Sequence, residues 1–579
     1  MNGLNLLVFR GEQRHVCGHK LKAELAEQLW LLCGDNSRER LIRALLRAGE
    51  LECGLGDANG DAAGPAEFLT DRIADALLQR ERESSFLAPQ FQSSNFHLAD
   101  FRNFSFQALL ETARDLPVIE QLSIATPEGF AYYALHPLAY ADVLDQISGS
   151  EDRLLVVGIR SIGTTLSAVM AAAARRQGIK AERLTVRPQG HPYDRTAEFS
   201  PRQWAAIEQY ASSGAAFAVV DEGPGLSGSS FLAVAEALEQ AGVQREKIIL
   251  VSSHAPNIDA LCAVDAARRW RRFRCVAIAA EARRPANAAD FIGGGKWRSR
   301  TFASQSEWRA SWTSFERLKY VSSTEHENRR LHKFSGLGHY GDAVFQRELK
   351  VAVAGFGPMP RRESDGFVSY PWIFHQRTSS RSLAAEDLSS SILARMAEYC
   401  AFRLLSFRIE LGELNALQHM AEHNLRELGL DLPVELRLEH PVIADGRMQP
   451  HEWLVANEGR LLKTDSGSHG DDHFFPGPTD IAWDLAGAIV EWQMSEQQVR
   501  AFIDLYRCAS GDDPSARIGG FIKAYAVFRA AYCMMAANAM RGSDEETRLQ
   551  CAAGIYRTQL MKPGACGLAI SSSLSAATS

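Results

Sequence analysis

The sequence contains little cysteine for its length, and none of it forms a paired motif. Ten cysteines are scattered over 579 residues, and no two have the spacing Cys-x-x-Cys. Small secreted domains use dense cysteines as a disulfide framework, whereas scattered cysteines are typical of free thiols in a reducing compartment. This scarcity argues against a disulfide scaffold and predicts a cytoplasmic protein.

Long apolar runs and a secretory leader are also missing. No stretch reaches the roughly 18 consecutive apolar residues that indicate a membrane-spanning helix. Residues 1–10 contain neither a charged region nor a long apolar core, so we expect no signal peptide. We therefore predict that the protein has no membrane partner.

Basic residues are too few to dominate the surface. Lys and Arg number 63 against 70 Asp and Glu, which gives a formal net charge of -7. Because nucleic-acid-binding proteins usually present a basic face, we expect no nucleic-acid partner. The apolar fraction of 46% is ordinary for a globular protein, and the length predicts about three or four domains.

Helical periodicity dominates residues 1–95. Apolar residues recur at three-to-four spacing over 21–33 and 38–51, and a Gly- and Asp-rich stretch at 54–64 predicts a loop. We interpret this mostly helical segment as a cap on the domain that follows. Further changes of pattern predict an α/β domain over 96–288, an α+β domain over 289–570 and a disordered tail over 571–579.

Short apolar runs recur about every thirty residues from residue 150 onward, which is the length of a βαβ unit. The predicted strands are 154–157, 184–186, 217–220, 248–251 and 275–278. The predicted helices between them are 164–177, 201–212, 231–241 and 258–268. This rhythm predicts a doubly wound, mainly parallel sheet that binds ligands at the carboxyl ends of its strands.

Two adjacent acids, Asp221 and Glu222, end the third predicted strand. The small-residue loop and helix start that follow contain Gly225, Ser227, Gly228, Ser229 and Ser230. Loop N–H groups and a helix N-terminus bind a phosphate, and the acids accept hydrogen bonds from ribose hydroxyls or help to hold Mg²⁺. This stretch predicts a sugar-phosphate site.

A second small-residue loop follows the first predicted strand. Its candidate ligand-binding residues are Gly158, Ile159, Arg160, Ser161, Gly163 and Thr164. The guanidinium of Arg160 suits bidentate pairing with an anionic oxygen, and Arg187 offers another cation at the end of the next strand. Residues 192–200 are interpreted as a mobile hood over this site.

These two loops resemble those of type I phosphoribosyltransferases. The resemblance implies that phosphoribosyl pyrophosphate (PRPP) and Mg²⁺ bind here, and that an N-ribosidic bond forms to a nucleobase-like acceptor. Asp221, Glu222 and Arg160 would be the catalytic residues, and the pyrophosphate would leave from the Arg160 loop. Leu226 and Ser227 depart from the Thr and Gly common in the family. A methyltransferase is the rival interpretation, but two βα units precede this loop and no acid ends the next strand.

A second constellation lies near the carboxyl end of the chain. Asp445 precedes two short apolar strands that flank a tight turn, and Asp465 ends the second of them. Asp480 and Asp484 follow at a spacing that predicts one face of a short helix. The stretch resembles the catalytic segment of aminoglycoside and choline kinases.

The kinase resemblance implies roles for several of these acids. Asp465 would hold Mg²⁺, and Asp484 would anchor the catalytic loop. Arg447 occupies the position of the family's catalytic Asp, and Glu452 that of its metal-binding Asn. Either Asp445 acts as the base from a shifted loop, or the domain does not carry out ordinary kinase chemistry. Glu452 remains a candidate Mg²⁺ ligand because carboxylate oxygens suit this ion.

Candidate nucleotide-binding residues precede this segment. Gly293, Gly294 and Gly295 would form a glycine-rich hairpin, and Lys333 would reach the nucleotide phosphates with Glu348 as its partner. The rival glycine string at 336–341 is interpreted as a strand-to-helix turn, because such strings occur often by chance. A polar cluster of His469, Asp471, Asp472 and His473 is interpreted as a solvated loop.

We therefore expect a phosphoribosyltransferase-type enzyme fused to a divergent, ATP-binding, kinase-like domain. This interpretation names PRPP and a nucleobase-like molecule as ligands, adds ATP as a second ligand, and allows a homodimer. Two alternatives stay open: a non-catalytic nucleotide-sensing protein with degenerate sites, and a small-molecule kinase alone.

Overall fold

The structure is a computed structural model. It describes residues 4–8, 13–58, 63–86, 105–117, 119–147, 152–225, 227–278, 284–285, 287–322, 329–373, 383–456, 459–474 and 477–561. Along these ranges, no helix combines the length and apolar character needed to cross a membrane.

The amino-terminal region is mainly helical, as its periodicity predicts. Its elements are β1 (Gln13–Cys17), α1 (Gly18–Gly34), α2 (Arg38–Ala58), α3 (Gly64–Phe86), α4 (Phe106–Asp115), β2 (Gln121–Ala125), α5 (Glu128–Ala131) and α6 (Leu144–Ile147). β1 and β2 pair antiparallel. Leucines at helical spacing, such as Leu25 and Leu29, are fully buried, so the long helices share one apolar core.

A five-stranded parallel sheet follows. Its region contains β3 (Arg153–Ile159), α7 (Ile162–Arg176), β4 (Lys180–Val186), β5 (Gln189–His191), β6 (Asp194–Thr196), α8 (Pro201–Ser212), β7 (Ala216–Val220), α9 (Ser229–Gln240), β8 (Ile248–Ser252), α10 (Ala266–Trp270) and β9 (Arg274–Ala277). The strand order is β4-β3-β7-β8-β9, and all neighbours are parallel. The predicted parallel sheet is confirmed.

Helices cover both faces of this sheet. One face packs with α7 and the amino-terminal helices, and the other packs with α8, α9 and α10. The central strands β3, β7 and β8 are almost continuously buried, which explains their unbroken apolar runs. The amino-terminal segment therefore caps the sheet, as expected.

A second sheet is antiparallel. Its region contains β10 (Ala288–Phe291), α11 (Arg298–Thr301), β11 (Lys319–Ser322), β12 (Arg330–Phe334), α12 (His339–Val353), β13 (Arg361–Arg362) and β14 (Phe367–Pro371). The strand order is β10-β11-β12-β14-β13. The glycine string at 336–341 forms the turn from β12 into α12, so its interpretation as a strand-to-helix turn is confirmed.

The carboxyl-terminal region is mostly helical. It contains α13 (Ser390–Ser406), α14 (Asn415–Glu427), β15 (Pro441–Val442), β16 (Trp453–Val455), β17 (Leu461–Lys463), β18 (Thr479–Asp480), α15 (Ala482–Glu491), α16 (Glu496–Ser510), α17 (Ile518–Ala539) and α18 (Asp544–Leu560). β16 and β17 form the predicted pair of short strands around a turn.

Residues 4–8 lie against this carboxyl-terminal region. The amide of Leu7 donates to Asn424 Oδ1 at 2.8 Å, and Asn424 Nδ2 donates to the Leu7 carbonyl at 2.7 Å. Leu6 and Val8 are buried in the core formed by helices α13 to α18. The two ends of the described chain therefore share one apolar core.

Three predicted elements differ from the structure. Helix α2 runs through Gly54 to Ala58 where a loop was predicted, because Gly54 packs directly against Leu122 and Ile124. The predicted helix 258–268 is replaced by a short 3₁₀ turn and the brief α10. Asp480 ends strand β18 rather than sharing a helix face with Asp484, and it accepts hydrogen bonds from the amides of residues 439, 440 and 482.

Candidate functional site

The acid pair lies at the point of the parallel sheet where ligands usually bind. Asp221 and Glu222 follow β7, which neighbours β3 where the order of the strands reverses. In open α/β sheets the crevice outside the carboxyl ends of the strands at this point is the usual ligand site. The topology therefore supports a ligand site beside both acids.

Both acids are held in place by backbone groups. The Gly129 amide donates to Glu222 Oε2 at 2.8 Å, and the Glu222 amide donates to Asp221 Oδ1 at 2.9 Å. Burial raises the pKa of Asp221 to about 7, and burial together with Glu128 raises that of Glu222 to about 8. A positive ligand or a hydroxyl donor beside them would favour their ionised forms.

The first loop is more tightly packed than predicted. A Cβ at Gly158 would lie 2.4 Å from the Gly163 carbonyl oxygen, and one at Gly163 would lie 2.5 Å from that of Val220. These two glycines therefore serve the packing of the loop against the sheet. Ile159 and Thr164 are buried too, so of the predicted PRPP-binding residues in this loop Ser161 is the more accessible one.

The two predicted pyrophosphate cations contact an internal carboxylate. Asp57 Oδ1 lies 2.9 Å from Arg160 Nη1, and Asp57 Oδ2 lies 2.6 Å from Arg187 Nη2. Arg187 Nη1 also donates to the Arg160 carbonyl at 2.8 Å. Asp57 belongs to the last turn of α2, which the sequence predicted as loop, so this partner was missed.

Helix α2 also fills the space beside the first loop. A Cβ at Gly49 would lie 2.1 Å from Thr165 Oγ1, and one at Gly56 would lie 3.0 Å from the Arg160 guanidinium carbon. The remaining cavity, lined in part by Gly49, Ser161 and Thr165, measures only about 10 Å³. The predicted pyrophosphate half of the site is thus occupied by the protein itself.

The predicted phosphate loop is closed by its own hydroxyl groups. Ser229 Oγ donates to the Pro192 carbonyl at 2.6 Å and lies 3.0 Å from Ser227 Oγ. Gly225 and Gly228 have positive φ angles of 58° and 71°, and Gly228 directly precedes α9, whose first turn contains Ser230. Leu226 lies outside the described residues. The predicted hood includes strand β6, which pairs with β5.

A much larger cavity lies between the antiparallel sheet and the carboxyl-terminal region. Its volume is about 240 Å³, and residues from both sides line it. The cationic side chains of the lining are Arg317, Lys319, Lys333, Arg447, Lys463 and Arg529. Pockets of this kind, with apolar walls and a few convergent polar groups, are the usual sites for small molecules.

Lys333 and Asp465 meet across this cavity. Lys333 Nζ lies 2.5 Å from Asp465 Oδ1 and 3.0 Å from Ser468 Oγ, and Lys319 Nζ lies 3.7 Å from Asp465 Oδ2. Although burial opposes it, these two ammonium groups hold the pKa of Asp465 well below its usual range. Asp465 also has a positive φ of 55°, a strained backbone state that occurs often at functional sites.

Glu348 does not form the predicted ion pair. It accepts a hydrogen bond from the hydroxyl of Tyr370, whereas Lys333 pairs with Asp465. Burial raises the pKa of Glu348 even though Lys333 opposes the shift. Glu348 nevertheless lines the cavity, on α12 as predicted.

Asp445 does not lie where a base could reach a ligand. It is completely buried, accepts a hydrogen bond from the Tyr399 hydroxyl, and lies 3.2 Å from Lys463 Nζ. Its own amide and that of Gly446 donate to Asp484 at 2.8 and 3.0 Å. The geometry therefore argues against a catalytic Asp445, and it agrees with the anchoring role expected of Asp484.

The predicted Mg²⁺ ligands do not fit a divalent cation. Glu452 Oε2 lies 2.9 Å from Lys463 Nζ, and Asp465 is paired with Lys333. Carboxylate oxygens are suitable ligands for Mg²⁺, but each of these two is already neutralised by a lysine. Burial raises the pKa of Glu452 to about 7, which further weakens it as a ligand at neutral pH.

Other predictions for this region need correction. Gly293, Gly294 and Gly295 do not line the cavity, and the Gly295 amide donates to Glu316 at 2.8 Å. His469 and Asp472 line the cavity rather than belonging to a solvated loop, Asp471 ends the 3₁₀ turn His469–Asp471, and His473 contacts Glu128. Burial and the charge of Arg447 hold the pKa of His469 well below its usual range.

A short segment, residues 128–135, connects the two sites. Gly129 binds Glu222, as described above, and Glu128 Oε2 lies 2.9 Å from His473 Nδ1. Arg317, which lines the cavity, donates through Nη1 to the Ala131 carbonyl at 3.2 Å. The acid pair and the large cavity are therefore joined through consecutive residues of one turn.

No protein-family model matches the sequence, and no curated protein matches it. Among solved structures, the chain is similar to a choline/ethanolamine kinase family protein from Mesorhizobium loti, with 14% identity and a TM-score of 0.29 over 42% of this chain and 86% of that one. The choline kinase LicA from Streptococcus pneumoniae is 14% identical, with a TM-score of 0.27 over 42% of this chain and 89% of that one. The macrolide 2'-phosphotransferase MphH from Brachybacterium faecium is 13% identical, with a TM-score of 0.28 over 42% of this chain and 91% of that one. At these TM-scores, the likeness assigns no role to any residue of this chain.

Proposed function

We propose that residues 287–561 form an ATP-binding, phosphotransferase-type site in the 240 Å³ cavity. The observation that carries this proposal is the contact of Lys333 with Asp465. Lys333 lies on the third strand of the antiparallel sheet, and Asp465 directly follows the short strand β17. In protein kinases a lysine on a strand of the first sheet and an aspartate that holds Mg²⁺ both face the nucleotide phosphates, and Lys333 and Asp465 occupy comparable places here.

The acceptor in this proposal is anionic. Arg447 lines the cavity where the kinase resemblance places the catalytic base, and Asp445 is sequestered. A carboxylate or phosphate acceptor is already ionised at neutral pH, so it needs no base, and a guanidinium binds it well. The acceptor oxygen would form a bond to the γ-phosphorus of ATP while the bond to ADP breaks.

Calorimetric titration of ATP into the full chain tests the proposal. We expect Lys333→Met to weaken ATP binding about 10- to 100-fold, because a charged hydrogen bond is worth about 1.5–3 kcal/mol. Lys319 still neutralises Asp465 in this variant. The matched control is Lys350→Met, an exposed lysine that does not line the cavity. Equal affinity in all three proteins would contradict the proposal.

The parallel sheet favours a second function, the transfer of ribose phosphate from PRPP to a nucleobase-like acceptor. Its support is the acid pair at the reversal of strand order. The carboxylates of Asp221 and Glu222 would hold Mg²⁺, whose chemistry is to neutralise the leaving pyrophosphate. PRPP would have to displace Asp57 from Arg160 and Arg187.

Binding of PRPP and release of pyrophosphate test this second function. We expect wild type to bind PRPP with Mg²⁺, and Asp221→Asn to lose most of that binding because it removes a charge that faces the ribose or the metal. PRPP binding without pyrophosphate release would favour the alternative of a nucleotide-sensing protein. Unchanged binding in Asp221→Asn would contradict the assignment.

A further inference from the structure

A lysine occupies the place of a metal ion in the large cavity. One oxygen or nitrogen from each of Asp445, Glu452 and His469 lies within 4.8 Å of the others, which is the spacing of a metal-ligand set. Lys463 Nζ lies 3.2 Å from Asp445 Oδ1 and 2.9 Å from Glu452 Oε2. The ammonium therefore takes the two carboxylates that a divalent cation would need.

The Lys463 charge is built into the fold. Its side chain is fully buried, and Nζ also donates to the Thr464 carbonyl at 2.8 Å. Two carboxylates and one carbonyl therefore surround the ammonium group. A buried charge that is paired and hydrogen-bonded does not leave its site easily, because leaving would strand the Glu452 carboxylate and leave Asp445 with Arg403, 3.9 Å away, as its nearby cation.

We propose that this cavity binds a nucleoside triphosphate in its metal-free form, with Lys463 serving as the fixed internal cation. The inference rests on the proposed ATP site and specifies the ionic form of its ligand. The third nearby carboxylate, Asp465, is already paired with Lys333. No carboxylate of this described group is left unpaired to receive an incoming Mg²⁺.

The charge of the cavity lining agrees with this ligand. Six of its residues are Lys or Arg and five are Asp or Glu, so the lining is not acidic before any ligand enters. A metal-free triphosphate brings the anion that such a lining needs, whereas Mg²⁺ would add another cation.

Titration of ATP into the wild-type chain, once with excess Mg²⁺ and once with EDTA, is the first test. We expect the affinity in EDTA to equal or exceed that in Mg²⁺. A loss of about tenfold or more on chelation would overturn the inference but leave the ATP site intact. If ATP binds under neither condition, the proposed function itself fails, and the inference with it.

Lys463→Met provides the second test, with Lys350→Met as control. This variant leaves Asp445, Glu452 and His469 without the internal cation, so we expect it to acquire a divalent-cation site. Mn²⁺ alone should raise its melting temperature and bind it in calorimetry, while wild type and the control should show neither effect. Even a variant that folds poorly gives this result, because Mn²⁺ should restore its folding. Equal responses of wild type and Lys463→Met to Mn²⁺ would overturn the role of Lys463.

Discussion

The two sites each contain an internal counter-ion where a ligand ion is expected, but the two counter-ions differ in burial. In the parallel-sheet site, Asp57 binds Arg160 and Arg187, and 22% of its side chain is exposed. In the cavity, Lys463 binds Asp445 and Glu452 with no exposure at all. A dissolved ligand can compete with a partly exposed partner, whereas a fully buried one is part of the folded core.

The largest expected effect follows from removing the buried counter-ion. Lys463→Met should lower the free energy of unfolding in EDTA by about 3–5 kcal/mol, because it removes the cation paired with buried Glu452 and leaves Asp445 with Arg403 at 3.9 Å. Chemical denaturation at neutral pH measures this loss, and Lys350→Met controls for the loss of an exposed lysine. A loss below about 1 kcal/mol, typical of a surface pair, would remove the contrast between the two sites.

Removing Asp57, the partly exposed counter-ion, should have a smaller effect. It should strengthen ligand binding rather than reduce stability. Asp57→Asn frees Arg160 and Arg187, so we expect it to strengthen the binding of inorganic pyrophosphate about tenfold, equivalent to about 1.4 kcal/mol. Stability should change little. Calorimetry with pyrophosphate measures the gain, and Glu246→Gln, at an exposed position of the same half, is the control. If Asp57→Asn binds pyrophosphate no better than wild type, Asp57 does not block an anion site.

The smallest effect concerns the acid pair. Burial raises the pKa values of Asp221 and Glu222 to about 7 and about 8, above those of an unfolded chain. The folded state then binds more protons, so their contribution to stability is fully present below about pH 4 and is lost as the pH rises to about 8. We expect the melting temperature of wild type to fall between pH 5 and 8 more than that of Asp221→Asn/Glu222→Gln. If the melting temperatures of the two proteins change equally with pH, the pKa values of Asp221 and Glu222 are not raised in the folded protein.

Local patterns predict the strands of the parallel sheet well because the three central strands, β3, β7 and β8, are apolar runs buried on both faces. They fail for both counter-ions. Gly54 and Gly56 interrupt the pattern of α2, and only packing against β2 and Arg160 reveals that the helix continues to Asp57. Lys463 has the pattern of an ordinary strand residue, since its carboxylate partners lie 18 and 11 positions earlier and reach it only through the pairing of β16 with β17 and the loop before β16.

In the candidate sites too, features set by the local sequence could be predicted, whereas features set by contacts between elements could not. The positions of the acid pair, Lys333 and Asp465 follow from residue type and the neighbouring strands, but Glu348 was predicted as the partner of Lys333, and the contact with Asp465 was not predicted. The burial of Asp445 could not be predicted in this way, because it depends on contacts with Tyr399 and Lys463, which lie on other elements. The phosphoribosyltransferase assignment, the domain boundaries and the homodimer stay predictions.

The contact of residues 4–8 with the carboxyl-terminal helices also has a consequence for synthesis of the protein. Leu7 is separated from its partner Asn424 by 417 positions. At a synthesis rate of about 5–20 residues per second, Asn424 is added roughly 20–80 s after Leu7. The carboxyl-terminal core is therefore completed by residues that are synthesised long before it, and a substitution at Leu6 or Val8 would destabilise helices more than 400 positions later.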